Sequence, residues 1–189
     1  AWPSLRGGPW RLRQAAMVSI PVVLLVGGWM ARNWSVAGAP VLTTESGVSL
    51  WVANNPITTE FLPDRSVDEI YDAAYVRLPE ERKVLLASAG SELAADRLLW
   101  RWALEYMRAN PGQTLLDMVR KVGWSFSGQL SPERAPLIQW SYAAYSVPLH
   151  LLAALGWWRS RIDRKPVGHL LVGFLFVAFI ITTAVFWSH

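Results

Sequence analysis

The chain has no cysteine among its 189 residues. That excludes a disulfide framework, a thiolate nucleophile and a thiolate-ligated metal. Its three histidines, His150, His169 and His189, stand too far apart to form a metal motif. The phosphate-cradling P-loop, the GxGxxG fingerprint and the GxSxG elbow are all missing. No cofactor is expected from these residues, and nothing in them supports a divalent cation, whose use the sequence leaves open. Acid is scarce in particular places. Residues 1–14 carry Arg6, Arg11 and Arg13 with no acid, and residues 159–165 carry Arg159, Arg161, Arg164 and Lys165 against Asp163 alone. The other eleven basic residues and thirteen acids fall within 32–134. The net charge of +4 thus sits beside apolar runs, as membrane topology requires. It does not build a phosphate-binding face, so no nucleic-acid partner is expected.

Apolar residues make up 52% of the chain and are concentrated, with twelve tryptophans among them. Uncharged stretches run from Gln14 to Ala31, from Ala135 to Trp158 and from Pro166 to His189. Eighteen such residues in a helix cross roughly 30 Å of hydrocarbon. The expected fold class is an all-α membrane protein with three transmembrane helices, over 14–31, 136–158 and 166–187. Both basic segments, the flank 1–13 and the hairpin 159–165, belong on the cytoplasmic side by the positive-inside rule, and chain parity agrees. The mostly helical loop domain 32–135 then lies outside the cytoplasm. Trp29, Arg32 and Trp34 after the first run read as interfacial anchors, which argues against a cleaved secretory signal. Trp140, Trp157, Trp158 and Trp187 fall near the other predicted interfaces. The chain begins without Met and stops at Trp187-Ser188-His189, so it reads as an internal fragment of a larger multi-spanning protein.

Within the loop, Gly38, Pro40, Gly47, Pro56 and Pro63 predict irregular or extended structure over 32–66, with room for one small strand at Ser49-Leu50-Trp51-Val52. Ser66 followed by Glu69 reads as a helix N-cap, and the helix should run to about Leu78. A second helix is expected over Glu80–Ala89. A third starts near Ser91, with Leu99, Trp102, Ala103, Tyr106 and Met107 on one face, and stops at Asn110-Pro111-Gly112. A fourth carries Leu115, Met118, Val119, Val122 and Phe126 on one face and Asp117, Arg120 and Lys121 on another. Such helices either lie on the bilayer surface or pack on one another and the rest of the protein.

The stretch after the first run reads Arg32-Asn33-Trp34, Gly38-Ala39-Pro40-Val41, Thr44-Glu45-Ser46-Gly47, then Leu50-Trp51-Val52-Ala53-Asn54-Asn55-Pro56. With Ala103-Leu104-Glu105-Tyr106-Met107-Arg108-Ala109-Asn110-Pro111-Gly112, Arg120-Lys121 and Phe186-Trp187-Ser188-His189, it resembles the polyprenyl-phosphate-sugar-dependent glycosyltransferases of the multi-spanning C superfamily. Within these it is most similar to family 39, of the protein mannosyltransferase and aminoarabinose transferase type. The resemblance covers most of residues 10–189 in order and spacing; Glu45 departs from it, standing where Asn before the glycine is more usual. It implies transfer of a sugar from a lipid-linked donor to a lipid, glycan or protein acceptor at the outer face of the cell (inner) membrane. The expected partners are that donor, the membrane and the N-terminal helices of the same protein. The expected substrate-binding residues are Arg32, Arg120 and Lys121 for the phosphate, and Asn33, Trp51, Asn54 and Asn55 for the sugar. The family's catalytic base lies upstream, so no catalytic residue is carried over and the fragment alone should be inactive. Two other readings are open to the sequence: a non-enzymatic scaffold of an envelope complex, and a secondary transporter. The second fares poorly, because the polar residues collect in the loop and not at mid-membrane. Asn54-Asn55-Pro56 also reads as a plain turn, Arg32 as a simple anchor, and His150 as a neutral histidine bonded to another helix.

Overall fold

A computed structural model describes residues 9–130, 134–162 and 166–186, and among them every regular element is an α-helix. The flank at Arg6, hairpin residues 163–165 and the motif at Trp187-Ser188-His189 lie outside the described residues. The helices are α1 (Pro9–Ala37), α2 (Ser46–Ala53), α3 (Thr58–Phe61), α4 (Val67–Val76), α5 (Glu80–Ala87), α6 (Glu92–Ala109), α7 (Pro111–Phe126), α8 (Pro136–Ile162) and α9 (Pro166–Phe186). Among the described residues, no helix is long and apolar enough to cross a membrane. The chain forms two compact units, residues 1–44 with 91–93, and residues 45–90 with 94–189.

In the first unit α1 runs six residues past the uncharged stretch and ends at Gly38. The φ of +75° there is a left-handed conformation that glycine adopts without strain. The Gly38 N–H donates to Trp34 O at 3.0 Å, and the following residues fold back along the helix. The Trp29 indole donates to Leu42 O at 2.8 Å and the Asn33 amide to Val41 O at 2.8 Å. Two side chains one turn apart thereby hold a loop that has no regular structure of its own.

The second unit corrects the expectation of an irregular segment with a strand at Ser49–Val52, because these residues are the helix α2. Eight residues make a marginal helix on their own, and this one is completed from distant parts of the chain. At its N-terminus the buried Asp96 carboxylate of α6 accepts Gly47 N at 2.6 Å, Val48 N at 3.2 Å and Ser46 Oγ at 3.2 Å. At its C-terminus the Lys121 ammonium of α7 donates to Ala53 O at 2.9 Å. The anion therefore meets the positive end of the helix dipole and the cation its negative end. A β-carbon on Gly47 would collide with the Asp96 backbone carbonyl, so only glycine allows this approach of α2 to α6.

Helix α4 starts as a full capping box: Ser66 Oγ accepts from Glu69 N at 3.2 Å, and the Glu69 carboxylate accepts from Ser66 N at 2.8 Å. That hydrogen bond, with help from Arg65, holds the Glu69 carboxyl below its usual range. The apolar stripe of α6 buries Leu99, Trp102 and Ala103 against Leu50, Trp51, Ile57, Ile70 and Ala74. Helix α7 has the expected two faces in an inverted orientation. Thr114, Asp117 and Lys121 are buried, while Leu115, Leu116 and Val119 are exposed. Its C-terminal Phe126 stacks near Phe176 and Phe179 of α9 at 6.0 and 6.1 Å, and near His150 of α8 at 5.2 Å.

Helices α8 and α9 share that inversion. Ser146 and Thr183 are buried, and the Nδ1 atom of His150 is buried with no hydrogen-bond partner among the described residues. Leu151, Leu152, Leu155, Phe174 and Ile181 are exposed.

Candidate functional site

Helices α2, α3, α4, α5 and α6 and the links between them line an open cavity of about 530 Å³, within the roughly 300–1,000 Å³ common for small-molecule sites. The Leu50–Pro56 segment reaches this space with Trp51, Asn55 and Pro56. Trp51 is buried and packs edge-on against Tyr71 at 5.7 Å. Trp102 and Tyr106 come from successive turns of α6, since residues four apart share a helix face.

Charged side chains ring the opening in two pairs. Arg77 donates to Glu60 at 2.8 Å, and Arg82 donates to Glu105 at 3.1 Å. The Arg82 guanidinium also lies over the Trp102 ring, 5.0 Å from its centroid. All four charged groups are about half exposed, so each pair adds little to stability and is available to a ligand. Burial, reinforced by the Asp117 carboxylate, raises the Tyr106 phenol above its usual range, and it remains a protonated hydroxyl at neutral pH.

The residues expected to bind substrate fall into distinct settings. Arg32 and Asn33 belong to the first unit. Arg32 is exposed, stacks on Trp29 at 5.1 Å and donates to Asn33 Oδ1 at 3.2 Å. Asn33 is buried and spends its amide on the backbone of the loop that follows α1. In the second unit Trp51, Asn54, Asn55 and Lys121 gather around the end of α2. The Asn55 amide donates to Trp51 O at 2.9 Å and Val52 O at 3.1 Å, while its oxygen accepts from Ile57 N at 2.9 Å. It thus closes the turn between α2 and α3 and contributes to the cavity wall. The Asn54 amide bridges Leu50 O at 2.9 Å and Val185 O of α9 at 2.8 Å, and its oxygen accepts from Lys121 at 3.4 Å.

Lys121 is 0% exposed. Burial pushes its ammonium down to about 8, partly opposed by the Asp117 carboxylate. Its protons go to Ala53 and Asn54, so the residue acts inside the fold as the clamp on α2. Arg120 lies partly in the open and points to Asp117 Oδ1 at 3.5 Å. Among the described residues, no cluster of three His, Asp or Glu side chains is arranged to hold a metal.

Of the residues lining the cavity only Trp51 and Asn55 belong to the site expected from sequence; its charged side chains Glu60, Arg77, Arg82 and Glu105 and its aromatic Trp102 and Tyr106 do not. In the sequence Trp102 shows only as a packing residue of the α6 stripe, Tyr106 as a member of that stripe and of the stretch 103–112 that carries the resemblance, and Glu105 only as a member of that stretch, with no binding role attached. The Arg–Glu pairs join positions 17 and 23 residues apart, a separation with no signature along the chain. Compared with protein-family models, curated proteins and solved structures, the chain matches none.

Proposed function

We propose that this chain is part of an integral-membrane glycosyltransferase that moves a sugar from a polyprenyl-phosphate donor to an acceptor outside the cytoplasm. One observation carries the reading. The segment Leu50–Pro56, one of the ordered stretches that carry the resemblance to that enzyme class, also lines the cavity through Trp51, Asn55 and Pro56, and the cavity's aromatic lining and half-exposed Arg–Glu pairs suit a polyhydroxylated ring. An apolar floor takes the C–H face of such a ring, and charged groups at the rim exchange hydrogen bonds with its hydroxyls.

The membrane part of the reading is supported by the inverted polarity of α8 and α9, and by the outward Val22, Val23, Leu24 and Leu25 of α1. Buried polar groups and broad exposed apolar surface are what water would disfavour and lipid would favour. A helix within a multi-spanning bundle turns its few polar groups toward its neighbours, as Ser146, His150 and Thr183 do here. In this reading α1, α8 and α9 are membrane helices and the segment from α2 to α7 is the outer domain. The reaction replaces the bond from the anomeric carbon to the donor phosphate oxygen with one to an acceptor hydroxyl or other nucleophile; the acceptor's proton passes to the base that the resemblance places upstream of this chain, and polyprenyl phosphate leaves. The test is turnover by the complete protein, purified in lipid and supplied with radiolabelled polyprenyl-phosphate sugars and a membrane extract as acceptor. Label should move to an acceptor. A folded preparation that consumes none of these donors refutes the proposal.

A further inference from the structure

We infer that the cavity beside Trp51, Trp102 and Tyr106 is a subsite for an uncharged pyranose and excludes the phosphate end of a lipid-linked sugar. The substrate class rests on the glycosyl-transfer reading, whereas the selection by charge follows from the lining itself. Both arginines at the opening already hold a carboxylate, Arg77 with Glu60 at 2.8 Å and Arg82 with Glu105 at 3.1 Å. The four groups sum to zero charge. A phosphate placed there would have to displace a carboxylate from its guanidinium and then sit beside it, and like charges set together oppose binding strongly.

Vicinal hydroxyls face no such penalty. Each hydroxyl both donates and accepts, and each Arg–Glu pair presents a donor and an acceptor side by side. The Tyr106 hydroxyl stays protonated for the reason given above. Under the ring, Trp51, Ile57, Leu78 and Trp102 provide apolar contact. The basic residues of α7 do not change the balance, because Lys121 is buried and donates to Ala53 O and Asn54 Oδ1, and Arg120 is directed to Asp117.

The experiment uses the whole chain in nanodiscs, with binding read by saturation-transfer NMR. The probes are the methyl α-D-glycosides of glucose, mannose and galactose, each set against its 1-phosphate. At least one methyl glycoside should bind about tenfold more tightly than the matching sugar phosphate, with little dependence on salt. The double variant Glu60→Gln/Glu105→Gln frees both guanidinium groups and should reverse that preference. Both glutamates are half exposed, so the fold should survive, and circular dichroism checks it. Ala109→Trp, which places bulk at the cavity wall, should abolish the glycoside signal. The inference is overturned if the sugar phosphate binds the unaltered chain as tightly as the glycoside, if no glycoside binds, or if the signal persists in Ala109→Trp. Glycoside binding without donor turnover by the complete protein would leave this inference standing and defeat the transferase reading. Turnover without glycoside binding would do the opposite.

Discussion

Lys121 is a charged group carried into the interior to finish a helix, and its protonation links directly to stability. Its ordinary value is 10.5 and in the fold it falls to about 8. Between those values the unfolded chain binds more protons than the folded one, so stability must rise as pH climbs from about 8 to about 10.5. The full gain is on the order of 3 kcal/mol. Tyr71 and Tyr106 move the other way, since burial raises both phenols and works against the fold only above pH 10. Melting curves for the chain and for Lys121→Met, compared from pH 7.5 to 10, should show an alkaline rise that the variant lacks. Parallel curves would remove the buried charge from the account. Asn55 makes a second claim at this scale. Its amide serves three backbone groups, so Asn55→Ala strands polar groups in a buried turn. It should lower stability by about 1–3 kcal/mol, read as a drop in denaturation midpoint.

At the scale of the element, α4 and α2 form a contrasting pair. The signals of α4 are local, Ser66 and Glu69 three residues apart, and both sequence and structure start the helix there. Ser66→Ala should cost about 1 kcal/mol, and faster amide exchange in the first turn of α4 alone would check it. The caps of α2 lie 49 and 68 residues away. A reading of its own residues meets only Gly47, Asn54, Asn55 and Pro56 and concludes turn or short strand. Gly47→Ala tests the remote construction. It should destabilise by about 1–3 kcal/mol through overpacking against Asp96, far beyond the gain alanine normally brings to a helix interior. Stabilisation by Gly47→Ala would contradict the close approach of α2 and α6. For α7 the sequence located the helix and its two faces but not which one is covered, because periodicity records a difference between faces and not their surroundings. The same blindness hid the cavity. Trp51 and Asn55 were singled out, whereas the Arg–Glu pairs at the opening exist only once α3, α4, α5 and α6 are brought together.

At the scale of the whole molecule, the charge bias beside the apolar runs makes one claim about sidedness. These 189 residues contain no cysteine, so once any cysteine elsewhere in the complete protein is replaced, single introduced cysteines report position cleanly. With Ser88→Cys or Ser160→Cys in the complete protein, a membrane-impermeant thiol reagent applied to intact cells should label position 88 and spare position 160. Labelling at 160 but not at 88 would reverse the orientation. The central claim joins the cavity to the chemistry: the space beside Trp51, Trp102 and Tyr106 holds the sugar during transfer. Its most direct test is transfer from a radiolabelled polyprenyl-phosphate sugar by the complete protein carrying Ala109→Trp, measured with the melting temperature on one preparation. Ala109 is exposed and borders the cavity, so the bulkier side chain should occupy the space without disturbing the core. The expected result is a normal melting temperature with transfer reduced at least about tenfold, the loss of some 1.4 kcal/mol of transition-state stabilisation. Undiminished transfer by this folded variant would contradict the account.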